Sequence, residues 1–272
     1  MVISGCRKEL LRLLSENNIY SPSFEAGEII SFVMGRMCLP SEEATEEQYS
    51  RMLEIAKKRT RGVPLQYIFG EWEFYGYPFY VGEGVLIPRP ETELLVDIAV
   101  KYCNKESRVL DLCSGTGCIP ISINLKTGAD CYAVELYDEA YSYLKRNIAL
   151  NNAKVTAIQA DALGGNLFPG IVFDAIFSNP PYLTAAEMED LQKEVAFEPS
   201  TALFGGEDGL DFYRGIIASW SGRIKKEGIF AVEIGETQGE AVSAIMQQNG
   251  LSPEIIKDYS GLDRVVLGRK ER

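Results

Sequence analysis

The chain has 272 residues, 46% hydrophobic and 24% charged, with a formal net charge of -12 and no histidine. That length can bury one large core or two modest ones, and the missing histidine removes histidine triads, histidine metal ligation and histidine general bases together. The acidic balance argues against affinity built on neutralising many phosphates, and no apolar run approaches the ~18 residues of a membrane span. Cys6, Cys38, Cys103, Cys113, Cys118 and Cys131 are scattered without a CxxC pair, which predicts reduced thiols rather than a disulfide framework or a zinc site. Arg7, Lys8 and Glu9 interrupt the first apolar stretch before a signal core could form, so a cytoplasmic protein is expected. Residues 3–6 (ISGC) read as a chance likeness to a lipoprotein box.

The first 60 residues read as helices. Leu10, Leu11, Leu13 and Leu14 give one apolar face, and Ser21 with Pro22 forms a cap and first turn. Between 46 and 58, Tyr49, Met52, Leu53, Ile55 and Ala56 recur at near-helical spacing. Residues 1–62 are therefore expected to form a small helical domain. The basic cluster Lys57, Lys58, Arg59 and Arg61 reads as a solvated helix end complementing the helix dipole, in preference to a nucleic-acid patch.

Residues 63–90 interleave aromatics with Gly and Pro, and the alternation over 73–81 around Gly76 predicts a β-hairpin linker. Pro88 and Pro90 then open a helix with Leu94, Leu95, Ile98 and Tyr102 on one face. Residues 91–272 alternate strand and helix. Strands are predicted over 108–112, 131–135, 155–159, 171–177, 228–234, 254–259 and 264–267. Helical patterns include Ala140, Leu144, Ile148 and then Leu210, Tyr213, Ile217, Trp220, Ile224. This is an α/β chain with a doubly wound, mainly parallel sheet. The turn at Ser260, Gly261 and Leu262 is too short for a parallel crossover, so the last two strands should be antiparallel. Seven strands with a reversed final strand resemble the Rossmann-like S-adenosylmethionine-dependent methyltransferase architecture.

In RVLDLCSGTGCIPISI a buried strand passes through a glycine turn into a helix with Pro120 in its first turn. Gly115 and Gly117 let the backbone approach a ligand, and the helix start favours negative charge. Pro120 stands where a GxGxxG dinucleotide fingerprint needs glycine, and no P-loop lysine is present. Glu135 ends the second strand, 18 residues after Gly117, where its carboxylate can accept bonds from both ribose hydroxyls. Asp161 follows the third strand, where it or its neighbouring backbone can hold an adenine edge. Asp111, Glu135 and Asp161 are expected to line one crevice at the carboxyl edge of the sheet. S-adenosylmethionine fits such acids, since its sulfonium and ammonium are positive; the plainer alternative is that each acid caps a turn.

The stretch DAIFSNPPYLT sets Asn179, Pro180, Pro181 and Tyr182 at the end of the fourth strand. Prolines withhold N–H groups, so the carbonyls of Asn179 and Pro180 can act as acceptors; the Asn179 side-chain oxygen adds another, and Tyr182 offers a flat wall. Such acceptors suit a planar NH2 nucleophile, whose nitrogen lone pair must leave conjugation before it can attack a methyl sulfonium. No dedicated base or metal is required. The tetrapeptide alone leaves open whether the amine belongs to adenine or to a glutamine side chain.

The blocks PLQYIFGEWEFYGYPFYVGEGVLIPRPETELLVD, LDLCSGTGCIPISI, SNPPYL, EVAFEPSTALFGGEDGLDFYRGII and GLDRVV resemble, in order and spacing, the PrmC/HemK family of peptide chain release factor glutamine methyltransferases. The resemblance spans nearly the whole chain. It implies the glutamine of the Gly-Gly-Gln loop as substrate, S-adenosylmethionine as cofactor, and N5-methylglutamine as product. It also implies a cofactor turn at Cys113, Ser114, Gly115, Thr116 and Gly117, a ribose acid at Glu135, an adenine contact near Asp161 and Ala162, a cofactor contact at Asn179, and Asn179 to Tyr182 at the substrate. Cys113 departs from the family's usual Gly, a change expected to matter little. Arg89 and Glu91 form a charged pair for which a supporting structural role is expected. The alternative is an N6-adenine methyltransferase acting on RNA or DNA. A monomer without stable nucleic-acid or membrane binding is expected.

Overall fold

The computed structural model describes residues 1–164 and 167–271, and the chain divides into two compact units. The first comprises residues 1–70 together with Gln192–Phe197; the second comprises residues 71–191 and everything from Glu198 onward.

In the first unit, α1 (Ile3–Glu16), α2 (Pro22–Met34), α3 (Glu46–Thr60) and α4 (Leu65–Phe69) pack around one apolar cluster that includes Leu10, Leu14, Ile29, Met52 and Ile55. Leu11, expected on the same face, is exposed because 100° per residue turns it off the stripe, while the half-buried Leu13 packs against the cluster. A reciprocal capping box starts α3: the Thr45 hydroxyl accepts from Gln48 N, and the Gln48 side chain accepts from Thr45 N. Its basic end is only partly the solvated cluster expected. Lys57 and Lys58 are exposed, but Arg59 is buried and donates to Glu25 through both Nε and a terminal nitrogen, and also to Glu194. The α3 stripe turns Arg59 inward, where only paired carboxylates make its burial tolerable.

The second unit opens with the hairpin β1 (Glu71–Phe74) and β2 (Tyr77–Tyr80), antiparallel about Tyr75 and Gly76. A short 3-10 turn at Pro90–Thr92 leads into α5 (Glu93–Tyr102). There follow β3 (Arg108–Leu112), α6 (Cys118–Thr127), β4 (Asp130–Glu135), α7 (Asp138–Leu150) and β5 (Val155–Gln159). The chain continues through β6 (Phe173–Ser178), α8 (Ala185–Glu189), α9 (Asp211–Trp220), β7 (Ile224–Glu233), α10 (Gly239–Gln248), β8 (Leu251–Lys257) and β9 (Asp263–Lys270).

The seven-stranded sheet has the order β5-β4-β3-β6-β7-β9-β8. Its strands run parallel except β9, which lies antiparallel to both β7 and β8. The expected antiparallel pair at the carboxyl end is thus present. Val109, Cys131, Ala175 and Phe177 point to the side covered by α5, α6 and the hairpin. Leu110, Leu112, Ile176 and Phe230 point to α9 and α10. Alternation of side chains along each strand produces these two apolar layers. One helical expectation fails: Ile224 opens β7 instead of continuing α9, which stops at Trp220 before a 3-10 turn through Gly222.

Candidate active site

At the carboxyl ends of β3, β4 and β6, the second unit encloses a cavity of about 250 Å³. Cys113, Ser114, Gly115 and Thr116 form one wall, and Glu135, Asp161 and Ala162 form another. Asn179 and Pro181 lie on its rim of the β6 loop, while Gly117, Pro180 and Tyr182 lie off the lining. Val85, Ile119, Leu136 and Ala140 supply apolar contact. The carboxylates sit among apolar walls, a surface suited to a ligand that joins a flat ring to hydroxyls and a cation.

The glycine turn takes its shape from three left-handed residues. Cys113 has φ 60°, Gly115 φ 53° and Gly117 φ 80°. At Cys113 an L-residue occupies backbone that glycine adopts freely, at a cost of roughly 1–2 kcal/mol, so the departure from glycine carries a definite conformational consequence. Gly117 caps α6, and a Cβ built there would stand 2.4 Å from Leu144 Cδ1. Gly117→Ala is therefore expected to destabilise the protein by about 2–4 kcal/mol through strain and overlap. Denaturant unfolding checks this, and a loss below about 0.5 kcal/mol contradicts the packing argument.

Glu135, the last residue of β4, accepts from Gly115 N at 2.8 Å through Oε2 and from Leu136 N and Tyr137 N through Oε1. These bonds lock the carboxylate to the glycine turn and leave Oε2 room for a ligand hydroxyl. Asp161 Oδ1 accepts from Leu163 N at 2.8 Å, so it also caps the following turn, and the Ala162 carbonyl accepts from Trp220 Nε1 at 2.7 Å. Both acids thus line the cavity while capping the segment that follows them.

Asp111 does not join that wall. It precedes the last residue of β3, points toward the α5–α6 side and is fully buried. Neither carboxylate oxygen has a hydrogen-bond partner among the described residues, and burial drives its pKa well above the ordinary carboxylate range. Register is the reason: Asp111 lies alongside Phe177 and Ala133 inside the sheet, two residues short of the level that Glu135 occupies.

The β6 loop is held from several directions. Asn179 Nδ2 donates to Thr92 Oγ1 at 3.2 Å, which leaves Oδ1 as the amide atom available to a ligand. Gln238 Nε2 donates to the Tyr182 carbonyl at 3.0 Å, and Leu183 exchanges backbone bonds with Leu203 and Gly205. A Cβ at Gly205 would come within 2.6 Å of Tyr182 Cα, and one at Gly209 within 2.4 Å of the Tyr182 carbonyl. The FGGEDG segment thus needs glycine because it lies against the PPY backbone, a task no local pattern discloses. Burial, then the neighbouring Glu233, push Tyr182 up to about 12.

Arg89 pairs with Glu198 rather than Glu91. The buried Glu198 carboxylate also accepts from Ile87 N at 3.0 Å, so it fastens the segment before α5. Asn147 was not singled out from sequence, yet its Nδ2 donates to the carbonyls of Tyr80 and Thr116 while its Oδ1 accepts from Tyr80 N. It ties the hairpin to the glycine turn. Glu233, at the end of β7, was also missed, although it satisfies the same acid-at-strand-end pattern used for Glu135.

Residues 6–70 match the family model described as the PrmC N-terminal domain, and residues 93–208 match one described as Conserved hypothetical protein 95. A release factor glutamine methyltransferase of Thermodesulfovibrio yellowstonii is 38% identical over 260 residues, covering 91% of this chain and 92% of that protein. The Aquifex aeolicus protein of the same name is 36% identical, covering 85% and 83%. The crystal structure of a methyltransferase from Pyrococcus furiosus is similar in fold, with a TM-score of 0.58 and 18% identity, covering 73% of this chain and 91% of that one. With such identity sustained over nearly the full length of both proteins, the chain belongs to the release factor glutamine methyltransferase family.

Proposed function

We propose that this chain transfers a methyl group from S-adenosylmethionine to the side-chain amide nitrogen of the Gly-Gly-Gln glutamine in a peptide chain release factor. The observation that carries the reading is the Asn179–Thr92 hydrogen bond, which turns the Asn179 carbonyl oxygen into the free acceptor beside the cavity. When bound, S-adenosylmethionine supplies an electrophilic methyl on a positively charged sulfur.

Glu135 holds the ribose hydroxyls, and the turn from Cys113 to Gly117 lies along the methionine portion. Asp161 and Ala162 border the adenine. Asn179 Oδ1 and the Pro180 carbonyl accept the two amide hydrogens of the substrate glutamine, with Pro181 stiffening the loop and the Tyr182 ring bounding the amide plane. Held this way, the nitrogen lone pair leaves conjugation and faces the methyl carbon. Positioning of this kind can supply about 7–11 kcal/mol of the barrier, and the acidic N-methylated amide then loses its proton to water. Residues 1–62 act as the substrate-recognition domain, joined through 63–90 to the methyltransferase domain at 91–272.

The deciding experiment incubates the protein with methyl-labelled S-adenosylmethionine and, separately, a release factor, the same factor with its Gly-Gly-Gln glutamine replaced, RNA and DNA. Label is expected only in the unaltered release factor. Label entering nucleic acid alone overturns the assignment in favour of adenine methylation.

A further inference from the structure

Glu233 closes β7 at 2% exposure, yet the chemistry above leaves it without a task. Its Oε2 takes no hydrogen bond among the described residues, while its own backbone carbonyl accepts from Tyr213 Oη at 2.8 Å. The Thr92 hydroxyl stands against the Glu233 carboxyl and stabilises its charged form. Thr92 is also buried, and the same hydroxyl oxygen accepts from Asn179 Nδ2. Thr92 thus stands between a buried carboxyl and the proposed substrate-binding amide.

A hydroxyl has a single hydrogen to donate. If it goes to Glu233, the Thr92 oxygen can only accept from Asn179, and the amide is held with Nδ2 inward and Oδ1 outward. If Glu233 carries a proton, it can donate to the Thr92 oxygen. The Thr92 hydrogen is then free to turn to Asn179, which favours the flipped amide with Oδ1 inward.

We propose that Glu233 is a positioning residue for amide methylation: acting through Thr92, its carboxylate holds the Asn179 amide with Oδ1 toward the substrate. This rests on the substrate role given to Asn179 above. Burial pushes Glu233 up to about 7, with Thr92, Arg264 and Arg89 lowering it and Glu91 raising it. Cys118, Tyr182 and Tyr213 also face it, and burial lifts all three away from neutrality. Glu233 is thus the group of this set that changes charge near pH 7. The carboxylate is the orienting form, so the turnover of the wild type should rise as pH climbs through neutrality.

The test compares Glu233→Leu, Glu233→Gln and Thr92→Val in the full chain. Glu233→Leu and Thr92→Val are expected to lower kcat about 10- to 100-fold while cofactor Kd stays within about threefold, and the double variant should be no worse than the poorer single one. Glu233→Gln, which carries a neutral acceptor and donor like the protonated acid, should hold turnover near the wild type's low-pH level and flatten the pH profile. A second readout does not depend on turnover: the Asn179 side-chain amide resonances, assigned by their loss in Asn179→Ala, should shift through pH 7 in the wild type and stay put in Glu233→Gln. Resonances that titrate identically in both, or Glu233→Leu turning over at the wild-type rate, overturn the proposal. A wild type that methylates no release factor while those resonances still titrate rejects the proposed substrate and leaves the hydrogen-bonded relay standing.

Discussion

Replacing Asn179 by alanine is expected to leave S-adenosylmethionine binding nearly intact and to lower methyl transfer by about 100-fold or more. Among the described residues the side chain's hydrogen bond is the one from Nδ2 to Thr92, which leaves its oxygen available. The cofactor wall instead belongs to other elements: the glycine turn after β3 and the carboxylate of Glu135, which is held by three backbone N–H groups. Removing Asn179 leaves that wall in place but takes away an acceptor that orients the nucleophile, and misplacement of a reacting group by about 1 Å can cost 100-fold. Single-turnover rates with release factor, beside a direct cofactor titration, separate the two effects. A cofactor affinity that falls as far as the rate contradicts the substrate role.

A large stability effect is expected at Arg59. Its guanidinium is buried, bonded at 2.7 and 3.0 Å to Glu25 and also to Glu194 in the Gln192–Phe197 segment, which belongs to the same compact unit. Arg59→Ala leaves two carboxylates facing each other without their cation. Breaking a buried pair in this way costs about 3–5 kcal/mol, and the one-third exposure of the Glu194 side chain places the expectation near 3. Chemical denaturation of the variant measures it directly. Adding Glu25→Gln and Glu194→Gln to Arg59→Ala should recover part of the loss, because the stranded charges are then gone. A cost below about 1 kcal/mol, or no recovery, contradicts a buried ion-pair network.

Much of the site was legible in the linear chain because the relevant rules are local. A glycine turn between a buried strand and a helix, an acid ending the next strand, and a proline pair that stops a ladder each depend on a few neighbouring residues. Cys113, Ser114, Gly115, Thr116, Glu135, Asp161, Ala162 and Asn179 accordingly meet around one cavity. Asp111 fell outside it because strand-end position is judged by register: a two-residue offset separates its level, beside Ala133, from that of Glu135.

Local pattern determined that this is a two-part chain, helical first and then α/β with a reversed last strand, and it placed the candidate site at strand ends without histidine. Only tertiary structure decided which polar groups found one another. Arg89 bonds Glu198 across 109 positions, Arg59 bonds Glu194 across 135, and Thr92 reaches Asn179 across 87. A buried charge or amide must find a partner wherever the fold brings one, and sequence spacing places no constraint on where that partner lies. The Asn179 amide, on whose orientation the proposed reaction depends, thus donates to a hydroxyl 87 positions away, which the NPPY tetrapeptide alone does not disclose.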